Sequence, residues 1–65
     1  MVKAEFSLEL RKSNGDFIKQ VEVFNTYEAA IMYVDVHPVS GDYEYSIWCI
    51  EYDEHGEETN CYPMY

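Results

Sequence analysis

The stretch Tyr43-Glu44-Tyr45-Ser46-Ile47-Trp48-Cys49-Ile50-Glu51-Tyr52 is apolar along both of its alternating faces. Side chains on a strand alternate sides with a period of two, so Tyr45, Ile47 and Cys49 share one face and Trp48, Ile50 and Tyr52 the other. A strand with no polar side belongs in the middle of a sheet. The segment that follows, Glu58 to Met64, contains Pro63. Proline has no N–H to donate to a ladder, which places this strand at an edge. Between the two, Asp53-Glu54-His55-Gly56-Glu57 reads as a hairpin loop with Gly56 in the left-handed region.

Upstream, Val39-Ser40-Gly41-Asp42 is a turn, preceded by a helix. Asn25 or Thr26 can cap that helix, with Glu28 near its positive end. Tyr27, Ala30, Ile31 and Val34 then fall at i, i+3, i+4 and i+7, an apolar stripe. His37-Pro38 ends the helix, because the residue before a proline is pushed out of helical geometry. The small Ala29 and Ala30 let it lie close to a sheet.

The N-terminal third is a hairpin. Ala4, Phe6, Leu8 and Leu10 alternate with Glu5, Ser7, Glu9 and Arg11, as in a half-buried strand. Ser13-Asn14-Gly15-Asp16 follows, an Asn-Gly turn in which both residues accept positive φ. Phe17 to Val23 returns with Phe17, Val21 and Val23 on one face, interrupted by Lys19, whose ammonium needs a sheet edge to reach water.

The element order is therefore ββαββ: one α+β domain over residues 1–65, with a four-stranded antiparallel sheet in the order 2-1-3-4. A β-grasp order, 2-1-4-3, with the first and last strands parallel at the centre, is the alternative. Pro63 in a central strand argues against it.

Composition bounds function. The 65 residues are 48% hydrophobic with a net charge of −9, rich enough in apolar side chains to fold but long enough for one modest core. Up to Lys19 there are four bases and three acids; from Gln20 to Tyr65 there are ten acids and no lysine or arginine. Such a field repels nucleic acid and anionic membrane and attracts basic partners, so no direct nucleic-acid or membrane binding is expected. MVKAEFSLELRK has no apolar signal core, and Met1 reads as an unprocessed start. These features lead us to expect a cytoplasmic protein with reduced thiols.

No chemical motif emerges. Cys49 and Cys61 form no short-spaced metal pair, and the acidic loop Asp53 to Glu58 lacks calcium-loop spacing, so no metal or cofactor is expected. If Asp53 pairs with Glu57 and the register continues unchanged, Cys49 lies opposite Cys61; a two-residue loop would separate them. Both histidines lie in turns, away from a nucleophile. One short helix on a sheet leaves little volume for a ligand site, and a non-enzymatic role follows.

One helix covers one face of a sheet, yet the third strand is apolar on both. Trp48 and Ile50 are the expected core residues under the helix, which leaves Tyr43, Tyr45 and Ile47, with Glu44, Glu51, Asp53 and Glu54 around them, as the surface that binds a partner. The function read from this is an interaction module that self-associates as a homodimer or binds a protein partner, with the acidic charge favouring a basic one. The alternative is an acidic nucleic-acid mimic that occupies a DNA- or RNA-binding protein. A contiguous acidic ridge formed by Asp42, Glu44, Glu51, Asp53, Glu54, Glu57 and Glu58 would favour it.

Overall fold

The two ends of β3, Tyr43–Tyr52, are set by its partner β1, Lys3–Lys12: the two strands pair antiparallel along their full length, from Lys3 opposite Tyr52 to Lys12 opposite Tyr43. This computed structural model describes residues 3–65, so Met1 lies outside the described residues. β2, Phe17–Phe24, flanks β1, and β4, Glu58–Pro63, flanks β3, giving the order β2-β1-β3-β4 with every pair antiparallel. The sheet has the expected antiparallel order, with Pro63 on an edge strand, and the β-grasp arrangement is not formed.

Both hairpins use the same three-residue loop. Gly15 N–H donates to Lys12 C=O at 2.8 Å and Lys12 N–H to Asp16 C=O at 2.8 Å; Gly56 and Asp53 repeat this at 3.0 and 2.9 Å. Among the described residues only Gly15, at 98°, and Gly56, at 82°, take positive φ. Asn14 therefore does not share the left-handed geometry expected of an Asn-Gly pair. Its Oδ1 instead accepts the Asp16 N–H at 2.9 Å, while Asp53 Oδ1 accepts those of His55 and Glu57.

The helix α1, Tyr27–Val36, is capped by Thr26, whose Oγ1 accepts the Ala29 N–H at 3.2 Å. Its stripe Tyr27, Ala30, Ile31 and Val34 packs on the sheet as the spacing predicts. Ala30 is fully buried between Leu8 and Ile47, because a methyl side chain brings helix backbone and sheet together there. Tyr45 Oη donates to His37 C=O at 2.7 Å and ties the helix end to β3.

Three extra residues break the strand alternation. In β2, Val21 and Ile18 are each inserted between paired positions, so Leu8 faces Glu22 while Glu9 faces Gln20, and Leu10 faces Lys19 while Arg11 faces Phe17. The bulges split the face expected in the sequence: Val21 packs into the core, whereas Phe17 and Val23 stand with Arg11 and Ser7 on the other side. In β4, Thr59 is the extra residue, since Glu51 faces Asn60 but Tyr52 faces Glu58. Beyond that bulge Cys49 lies opposite Tyr62, and Cys61 opposite Ile50. The two thiols thus project from opposite sides of the sheet and are free. The register that set them face to face is corrected by one inserted threonine.

Candidate interaction surface

Pairing with β1 decides which side of β3 the helix covers. Leu8 is opposite Ile47, Phe6 opposite Cys49 and Leu10 opposite Tyr45, so these residues point to α1 together. Ile47 is 0% exposed and Cys49 is buried. Trp48, Ile50 and Tyr52 point to the open side. The face assignment drawn from the sequence is thereby reversed. Phe6 and Leu8 of β1 select the helix side, and β3 alone, apolar on both sides, does not reveal it.

The residues singled out as a partner surface consequently fall in three places. Tyr45 and Ile47 lie beneath the helix, and Tyr43 sits at the end of the same side, opposite Lys12. Glu51 also points to the helix side, where its Oε2 accepts the Tyr62 hydroxyl at 3.3 Å. Glu44 faces Arg11 on the open side, and Asp53 and Glu54 occupy the hairpin tip. Asp42 and Glu44 thus lie at one end of β3 and the remaining acids at the other, roughly 30 Å away at the rise of an extended strand.

The open side has Trp48 at its centre, between Ser7 of β1 and Pro63 of β4. Small Ser7 and Ser46 leave the indole room against the sheet. Ser7 is 2% exposed although no element lies above it, and its Oγ accepts Gln20 Nε2 at 2.7 Å. Trp48 Nε1 is enclosed and meets no acceptor, a desolvation cost of about 1–3 kcal/mol. The same side also carries Ile50, Tyr52, Cys61, Val23 and Phe17, the last 55% exposed.

Charge on this side is largely paired. Arg11 bridges Glu9 at 2.7 Å while its guanidinium lies over the Phe17 ring, 5.6 Å from the centroid, and Lys3 bridges Glu5 at 3.5 Å. The Glu5 carboxylate, ahead of burial, raises the Tyr52 pKa; burial, then Glu58 and Glu9, raise that of the Cys61 thiol. Both shifts favour the neutral form.

Depressions do exist elsewhere on the surface. One, of about 580 Å³, runs past Arg11, Val34, Pro38, Tyr45 and Tyr65. Ligand-sized volume is therefore present, contrary to the expectation from chain length, but it holds neither a histidine nor a cysteine. Among the described residues no three His, Cys, Asp or Glu side chains gather as a metal would need, and no helix is long and apolar enough to cross a membrane.

No protein-family model matches this chain, and no curated protein or solved structure does either. Its surface is the sole guide to its function.

Proposed function

We propose that the protein is a non-enzymatic interaction module that self-associates through the open side of its sheet. The observation carrying this reading is a sheet side with no covering layer and the only tryptophan at its middle. The apolar core supports it by its small size: Leu8, Ala30, Ile47 and Cys49 are the buried apolar residues among those described. A domain of this length is commonly supplemented by a disulfide, a metal or a second subunit.

Area and charge favour a second copy. The two larger dimensions of the molecule, 39 and 22 Å, set an upper bound of roughly 860 Å² on its broad side, against about 800 Å² per partner in a standard interface. Its ion pairs Arg11–Glu9 and Lys3–Glu5 are satisfied internally, and the unpaired Glu44 and Glu58 lie at the two ends of β3, away from the centre around Trp48. The divided placement of the acids gives no comparable support to nucleic-acid mimicry, which needs carboxylates in a continuous row.

Light scattering over a concentration series tests the proposal. We expect a monomer–dimer equilibrium that Trp48→Ala and Ile50→Glu shift towards monomer, with Cys61 alkylation slowing as the wild type becomes concentrated. A monomer at all concentrations, with Cys61 labelled at a constant rate, would refute it.

A further inference from the structure

The helix side of the sheet is only half covered. Strands lie about 4.8 Å apart, so two of them span about one helix width, and adjacent helices pack 8–10 Å axis to axis. α1 rests on β1 and β2 and closes over Ile47 of β3. Beyond it, β4 has no helix above it. All of β4 is exposed, Tyr62 included, and so is Met64 just beyond it. Tyr62, opposite Cys49, shares the helix side with Glu51, and Met64 N–H donates to Ile47 C=O, which continues the pairing along that edge.

The helix turns an apolar flank towards this strip. Tyr33 reaches back to Phe24 of β2, with ring centroids 5.9 Å apart. Ile31 lies two residues earlier, about 200° around the helix, on the flank away from Phe24 together with Glu28 and Asp35. Tyr27, Glu28, Ile31, Met32 and Asp35 line a groove of about 320 Å³, and Met32 at its outer lip is 66% exposed. Methionine adapts readily to the shape of an incoming apolar side chain.

Glu28 and Asp35 border the strip on the helix, and Glu51 borders it on the sheet. The bases lie elsewhere: Lys3 and Arg11 are bound to acids on the open side, Lys12 ends β1 opposite Tyr43, and Lys19 is on β2 at the far edge. A second copy of α1 would set its own Glu28 and Asp35 against these acids. Like-charge contact of that kind disfavours self-docking here.

We infer that the strip between α1 and β4 seats a helix supplied by another protein, apolar on the side it lays down and carrying lysine or arginine along its edges. The incoming helix completes the second layer, its stripe meeting Ile31, Met32 and Tyr62 and its cations meeting Glu28, Asp35 and Glu51. This is the helix-in-groove mode of recognition, with acids selecting the partner. It does not depend on self-association through the open side.

The test uses a synthetic Leu/Lys peptide with an amphipathic helical pattern, a scrambled peptide of the same composition, and a Leu/Glu version, each titrated into the full chain followed by amide NMR. We expect the Leu/Lys helix to bind, shifting Ile31, Asp35 and Tyr62 and leaving Ile50 and Cys61 unmoved. Asp35→Lys, at an exposed site checked for fold by circular dichroism, weakens binding about tenfold or more, and Met32→Ser weakens it further. Equal binding of the scrambled peptide, shifts confined to Trp48, Ile50 and Cys61, no binding, or wild-type affinity in both variants would each overturn the inference. Concentration-dependent shifts on the open side without peptide report on self-association separately.

Discussion

Tyr62 illustrates how much one side chain's position changes its chemistry. Its hydroxyl pKa is pushed up to about 12, first by its hydrogen bond with the Cys49 thiol, then by burial and the Glu51 carboxylate. Burial followed by Tyr33 raises Tyr45, and Glu5 raises Tyr52. A raised folded-state pKa favours the neutral phenol, so the stabilisation is complete below the ordinary value of 10.0 and is lost as pH climbs through about 12. Three of the seven tyrosines should therefore ionise late in an ultraviolet titration, and Tyr62→Phe should remove one late step and soften alkaline unfolding. A single uniform titration step in both proteins would contradict this. Nothing in the sequence foretold the behaviour of Tyr62, because its neighbours were set by the register of β4. One extra threonine moved it opposite Cys49 and sent Cys61 to the other side of the sheet.

At the scale of elements, sequence signals and structure agree wherever a single local cause operates. The helix follows from its i, i+3, i+4, i+7 stripe, the Thr26 cap and the His37-Pro38 stop. The strand order follows from Pro63 and from a third strand without a polar side. Where two patterns compete, the sequence is silent. β3 has two apolar faces of nearly equal size, and its partners Phe6 and Leu8 choose between them through pairing that alternation alone does not specify. β2 alternates poorly because Ile18 and Val21 are bulge residues, and bulges are invisible to a period-two reading. Bulges also blunt an edge strand against unwanted pairing, the protection that β2 needs. Thr26→Ala should cost about 1 kcal/mol and Thr26→Ser much less, as measured by urea unfolding. Ile47→Ala, at the most enclosed point between helix and sheet, should cost about 2–5 kcal/mol. In a domain whose total is 5–15 kcal/mol, such a loss leaves it barely folded. If Ile47→Ala were as stable as the parent, the helix side would have been misassigned.

At the scale of the molecule, two surfaces of opposite character emerge from one sheet. The open side is apolar at its centre, with two internal ion pairs and with Glu44 and Glu58 at its ends, and the helix side carries an apolar strip between unpaired acids. Salt distinguishes them. Two copies at −9 each repel, so screening should strengthen self-association, whereas docking of a lysine-bearing helix should weaken as salt rises. The charge asymmetry was legible in the sequence as a run of 46 residues without lysine or arginine. Its placement was not, because strand alternation and bulges distribute those acids over both sides and both ends of β3. The central claim, that the open side is the self-docking surface, is tested most directly by amide and indole NMR over a dilution series of the unmodified protein. Shifts that move with concentration at Ser7, Gln20, Trp48, Ile50 and Cys61, and leave Ala30 and Ile31 still, are the predicted result. A spectrum unchanged by dilution, or one whose changes fall on α1 instead, would contradict it.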